Sequence, residues 1–148
     1  MSEIASRAAS KRPEFRNINA FKDLPGYRWP MAAVVSGMHR ASGLLMFLLL
    51  PFIIWMFDNS ISSEISFAKF KSIFNIGLLG LPGIIWKLAA LALIWACLHH
   101  FTAGLRHLWM DLSHEAVSRE FGRSSAVVTL AISLGLTLAL SAKLFGFY

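Results

Sequence analysis

One cysteine in 148 residues, eight acidic side chains and two tyrosines are the scarcities of this sequence. The lone Cys97 lies inside an apolar run, so there is no disulfide framework, no CxxCH haem-attachment motif and no iron–sulfur ligand set. Any redox chemistry therefore needs a non-covalent cofactor. Charge is scarce too: 15% of residues are charged, 56% are hydrophobic, and mean hydropathy is +0.59. Those proportions argue against a soluble globule of this size. The charges are also clustered, with nine in residues 1–30, four in 58–71 and six in 106–123, and only Arg40, Lys87 and Lys143 elsewhere.

What fills the space between the clusters is membrane-grade sequence. The formal charge of +6 and a pI near 10.0 would suit a nucleic-acid binder, but the basic residues form no groove-sized patch. No nucleic-acid partner is expected, and the basic excess reads as topology information. The first 30 residues lack the apolar core and cleavage site of a secretory signal, while Glu3, Glu14 and Asp23 argue against an acid-poor transit peptide. Residues 1 to 12 read as disordered, and Arg12 to Pro30 as an ordered, irregular lead-in punctuated by Pro13, Pro25, Gly26 and Pro30. No internal repeat is evident.

Three stretches reach the roughly 20 apolar residues needed to cross a bilayer. They run from about Met31 to Phe57, Pro82 to Trp109, and Ser124 to Phe145. Trp29 and Trp55 bracket the first and Trp86 and Trp109 the second, as expected of rings that prefer the headgroup layer, while Trp95 is interior. The clean part of the first span, Leu44 to Phe57, is too short to cross alone, so the helix must extend back through Ser36 to Gly43. That extension carries His39 and Arg40 into the membrane, about 13 Å along the axis from Met31. A buried Arg costs a few kcal/mol unless a partner, water or polar ligand compensates.

The resulting expectation is an all-α integral membrane subunit with three transmembrane helices in a heteromeric helix bundle, divided into an inner-side segment (residues 1–30) and a membrane domain (31–148). Arg7, Lys11, Arg12, Arg16, Lys22 and Arg28 precede the first span, Lys69 and Lys71 follow it, and Arg119 and Arg123 follow the second, with Arg106 at its border. The positive-inside rule then puts the amino terminus and second loop on the inner side. Phe67 to Gly80 is expected to lie along the outer interface.

Antiparallel helices one and two bring His39, Arg40, Arg106 and His107 to one depth. Ser36, His39, Arg40 and Gly43 fall at i, i+3, i+4 and i+7, so one helix face offers a hydroxyl, an imidazole, a guanidinium and a gap. That set suits an anionic or carbonyl-bearing ligand. On helix two, Ala92, Ala96, His100 and Gly104 repeat every four residues, a small-residue stripe broken by one imidazole, with His107 two turns on and His99 about 100° away. Haem suits this pattern: a neutral imidazole for the iron, small residues for the flat ring and cations nearer the surface for the propionates. No second histidine is expected at the depth and face of His100, so a sixth iron ligand would come from another subunit. Asp111, four residues past His107, is expected to orient that ring.

Spacing alone leaves simpler readings open. His39 with Arg40 fits an interfacial basic pair snorkelling to lipid phosphates, and His100 equally fits a helix-to-helix hydrogen bond. For His99, His114 and Cys97 the structural reading is preferred. Ser125, Thr129, Ser133, Thr137 and Ser141 form a hydroxyl stripe on helix three, read as packing glue.

Two motifs then carry a resemblance. Ser36-Gly-Met-His39-Arg40-Ala-Ser42-Gly43 resembles the S-x-x-H-R-x-[ST]-G signature, and His100-Phe-Thr-Ala-Gly104-Leu-Arg106-His107-Leu-Trp-Met-Asp111 resembles H-x-x-x-G-[IL]-R-H-x-x-x-D. Both are signatures of the large cytochrome b anchor subunit of succinate dehydrogenase, respiratory complex II. The resemblance runs from about Arg12 to the carboxyl end, the third helix contributing only hydropathy. It implies that His100 is the axial ligand of a haem b shared with the small anchor subunit. His39, Arg40, Gly104, Arg106, His107 and Asp111 would form the haem surroundings, and Ser36 and Arg40 would line a ubiquinone pocket. Flavoprotein, iron–sulfur and small-anchor subunits are the implied partners, with membrane lipid and quinone.

By itself such a chain is not catalytic; its contribution would be to the quinone site of succinate:ubiquinone oxidoreductase. The bacterial inner membrane is the expected location, ahead of the mitochondrial one. The alternatives are the anchor of a quinol:fumarate reductase, which runs the same chemistry in reverse, and a cofactor-free assembly or transport component.

Overall fold

Proline, glycine and serine set the element boundaries in the computed structural model, which describes residues 17–147. The expected disorder of residues 1 to 12 lies outside the described residues, as does the start of the lead-in. A short helix α1, Ala20–Asp23, forms because the Asn19 side chain accepts from the Phe21 and Lys22 amides. Helix α2, Met31–Leu48, starts directly after Pro30. Helix α3, Leu50–Ile61, follows it, and α4, Glu64–Asn75, begins at a capping box of Ser63 and Ser66. Helix α5, Gly83–Leu112, is followed by a 3₁₀ turn at His114–Val117 and by α6, Arg119–Leu144. Among the described residues there is no strand beyond one isolated Leu78 to Leu81 bridge, so the chain is all-helical.

The first expected span is two helices rather than one. The break is at Leu49 (φ −92°, ψ 5°), and Pro51 is the second residue of α3. Proline has no N–H for the carbonyl of Phe47, and its ring crowds that turn. The second span continues past Trp109 to Leu112. The third begins at Arg119, five residues before Ser124, because the Ser118 hydroxyl accepts from the Phe121 amide and caps the helix early. Residues 67–80 are mostly α4, which packs against α3 and α5 and buries Ile73. The turn after it needs left-handed backbone: a Cβ on Gly77 (φ 115°) would run into the Leu81 carbonyl.

Among the described residues three helices are long and apolar enough to cross a membrane: Met31–Leu48, Gly83–Leu112 and Arg119–Leu144. They pack pairwise as one bundle. Gly43 faces His100 while Gly104 faces His39, so α2 and α5 are antiparallel. His99 meets Ser133 while Arg106 meets Ser125 and Gly122, so α5 and α6 are antiparallel too.

The shared core is small: Val35, Ala103 and Ala126, with Leu130 against it. Large apolar side chains such as Phe47, Leu48, Phe101 and Leu138 instead face outward. Small residues inside and large ones outside are what a lipid-solvated bundle requires, since close backbone approach replaces hydrophobic collapse as the packing force. The hydroxyl stripe of α6 serves that packing, with Thr129, Ser133 and Thr137 buried. Thr129 and Thr137 satisfy their hydroxyls on carbonyls of their own helix.

Candidate functional site

The α2–α5 crossing is built from reciprocal histidine and glycine contacts. A Cβ on Gly43 would lie 2.8 Å from His100 Cε1 and 3.1 Å from its Nδ1, so only glycine leaves room for this ring position. Across the crossing, a Cβ on Gly104 would lie 3.6 Å from His39 Nε2. The four-residue spacing of His39 and Gly43, and of His100 and Gly104, puts each histidine one turn from its own helix's gap. The two imidazoles consequently stack, with centroids 4.1 Å apart and planes 22° apart, and His107 follows at 5.2 Å from His39.

Hydrogen bonding fixes the His100 tautomer. Its Nδ1 lies 3.1 Å from the His39 carbonyl oxygen, which can only accept. The Ser42 hydroxyl donates to that same carbonyl at 2.8 Å, so the lone pair of its oxygen faces Nδ1 at 3.4 Å. Both neighbours are acceptors, so Nδ1 carries the proton and Nε2 keeps its lone pair. Among the described residues Nε2 has no hydrogen-bond partner, and it is not one of the buried orphan atoms. An imidazole held through Nδ1 by a carbonyl and presenting Nε2 is the arrangement of a metal-ligating histidine.

His99, one residue away, is arranged the opposite way. It is 0% exposed, stacks on Trp95 and lies with Nδ1 3.3 Å from the Ser133 hydroxyl. Its Nε2 is buried with no hydrogen-bond partner. No ligand can reach it; both histidines bridge helices through Nδ1, His100 to the His39 carbonyl of α2 and His99 to the Ser133 hydroxyl of α6, but only His99 has its Nε2 sealed away.

Ser36 and Arg40 sit together on α2. Arg40 Nε lies 3.4 Å from the Ser36 carbonyl, which folds the exposed guanidinium back over that turn. Ser42, Thr102, Thr129, Thr137 and Ser141 all donate to a carbonyl of their own helix. The half-buried Ser36 hydroxyl makes no such bond among the described residues.

Three expectations change. Arg106 does not join His39 and His107: its Nε donates to the Ser125 hydroxyl at 2.9 Å and its Nη2 to the Gly122 carbonyl at 3.2 Å, both on α6. The reason is helical phase, since Arg106 is seven residues from His99 and shares its inward face. No hydrogen bond or ion pair joins Asp111 to His107 among the described residues; Asp111 is exposed in the last turn of α5, and His107 packs on His39 instead. Finally, His39 lies at the depth of His100. Because the two rings meet face to face, their nitrogens do not converge on a common point, and His39 is not a second ligand for one iron.

Ser42 and the His39 carbonyl are site groups that side-chain reasoning missed. The signal was present, since Ser42 is one residue before the glycine that faces His100. Cys97 is exposed on the α5 surface and His114 lies in the 3₁₀ turn, both apart from the cluster.

The sequence is similar to that of known proteins. Residues 14–140 match the family model described as succinate dehydrogenase/fumarate reductase transmembrane subunit. The succinate dehydrogenase cytochrome b556 subunit of Coxiella burnetii is 34% identical over 112 residues, which cover 75% of this chain and 83% of that protein. With both motifs at the α2–α5 crossing and three apolar helices to cross the bilayer, the chain belongs to the family of succinate dehydrogenase/fumarate reductase transmembrane subunits, as a multi-pass cytochrome b-type membrane anchor.

Proposed function

We propose that this anchor binds haem b through His100 and helps form the site where ubiquinone accepts electrons from succinate oxidation. The observation that carries the reading is the contrast between adjacent histidines: His100 is held by Nδ1 and offers Nε2, whereas His99 is sealed in the bundle. The Gly43 gap fits the haem reading as well, since it lets the ring sit close to α2. Bound haem would supply a one-electron store within the membrane. His39, stacked on His100, and His107, beside His39, are the groups assigned to the surroundings of such a ligand, with Gly104 facing His39. The second axial ligand is assigned to the small anchor subunit.

Ser36 and Arg40 are assigned to the quinone. The free Ser36 hydroxyl donates to a quinone carbonyl oxygen, and the Arg40 guanidinium stabilises negative charge on that oxygen as electrons arrive, an effect strengthened by low dielectric. Flavoprotein and iron–sulfur subunits would deliver those electrons, because no residue here can oxidise succinate. The basic amino-terminal segment and second loop are assigned to the inner side of a bacterial inner membrane.

The test is a pair of activities in the assembled complex. Ser36→Ala and Arg40→Ala should reduce succinate-to-quinone turnover by about a hundredfold to a thousandfold, the range for removing one donor to developing charge. Succinate oxidation by an artificial dye should persist. Equal loss of both activities would refute the assignment.

A further inference from the structure

The inner-side end of the bundle holds a second site, unrelated to the histidine cluster. A cavity of about 520 Å³ opens where the start of α2, the end of α5 and the start of α6 meet. Arg106, Arg119 and Arg123 line it, together with Trp29 and apolar surface from Met31 and Met110, and among the described residues no acidic side chain does. We propose that this cavity binds the headgroup of an anionic phospholipid.

Charge is the first argument. Arg119 and Arg123 stand one turn apart on α6, so like charges are adjacent on one helix face. Both lie in the first turns of α6, where cations oppose the helix dipole. No ion pair offsets either of them among the described residues. Three guanidinium groups therefore line one hollow beside a helix amino terminus, and Glu120, the acid of that turn, does not line it.

Burial is the second argument. Arg106 is only 7% exposed, and its Nε and Nη2 are spent on Ser125 and Gly122. Its Nη1 has no hydrogen-bond partner among the described residues and is not a buried orphan atom, and the residue lines the cavity. A built-in, pre-oriented guanidinium flanked by two flexible ones is suited to a phosphodiester.

Amphiphilic surroundings favour a lipid over a soluble anion or a protein segment. Arg106 also lines a neighbouring, almost wholly apolar hollow between α5 and α6, bordered by Leu105, Phe121 and Ile132. One cation therefore borders a polar and an apolar space at the end of a membrane helix, as an amphiphile requires, and basic pockets between membrane helices are suited to lipid headgroups. Trp29 at the rim fits the same interfacial layer.

The experiment is native mass spectrometry of the intact complex in non-ionic detergent, with phosphatidylglycerol or phosphatidylcholine of identical acyl chains added back. The wild type should retain phosphatidylglycerol preferentially. Occupancy should fall by about thirtyfold in Arg119→Gln/Arg123→Gln, the loss expected for removing two cations beside an anionic headgroup. Lys143→Gln, at the far end of α6, should retain it. If the double variant does not assemble, brominated phosphatidylglycerol should still quench wild-type fluorescence, brominated phosphatidylcholine should not, and Trp29→Phe should remove the difference. Equal binding of the two lipids would overturn the proposal, as would unchanged retention in the double variant. So would loss of the iron–sulfur subunit with lipid retained, which would make the cavity a protein interface. Because each sample's b-type haem band is read separately, failure here is distinguishable from failure of the haem assignment.

Discussion

Gly43→Ala sets two physical expectations against each other. On helix propensity alone the change should stabilise α2 by about 1 kcal/mol. At this position, however, the new methyl would sit 2.8 Å from His100 Cε1, and restoring ordinary contact requires the ring to retreat by about 0.6 Å. The ring is not free to do so, because Nδ1 is held 3.1 Å from the His39 carbonyl and a shift of that size stretches the bond beyond useful range. Overpacking of this kind costs about 1–3 kcal/mol. Since the strain falls on the imidazole itself, haem retention should drop by about five- to 150-fold while the bundle remains folded. The assay is the dithionite-reduced minus oxidised spectrum normalised to flavin content. Gly37→Ala is the control, since nothing lies within 4 Å of a Cβ there. A Gly43→Ala complex with full haem content would refute the steric role given to Gly43, as would equal loss in both variants.

Two further substitutions test the inward face of α5. Ser133→Ala removes the partner of His99 Nδ1 and should lower the stability of the purified complex by about 1–3 kcal/mol, seen as a reduced Tm with haem content unchanged. Haem loss without a Tm drop would contradict the structural role given to His99. Arg106→Leu breaks both ties to α6 and should cost about 3 kcal/mol, again read as Tm. An unchanged Tm would show that these hydrogen bonds do not fasten the helices.

Much of this was legible in the sequence because the membrane restricts what residues can do. Three apolar runs, two motifs and a four-residue rhythm of small residues suffice to place His39 near His107 and to set His100 apart from His99. The hydroxyl stripe of α6 was legible for the same reason, as few roles exist for buried hydroxyls. What escaped depended on competition between neighbours. Pro51 was visible, but the apolar run around it masks a break that hydropathy does not sense. Arg106 looked like part of a basic cluster with His107, yet its seven-residue spacing from His99 decided where it points. Asp111 had the right i+4 spacing for His107, but that histidine had a better partner in His39. The role of Ser42 depends on a backbone carbonyl shared with His100, a contact across two helices that linear spacing does not reveal.

The most direct measurement is the reduced-minus-oxidised spectrum of the purified complex carrying His100→Ala, compared with His99→Ala. His100→Ala should abolish the b-type haem band, while His99→Ala should keep it at lower stability. A band that survives loss of His100, or disappears only with His99, would contradict the assignment of His100 as the iron ligand.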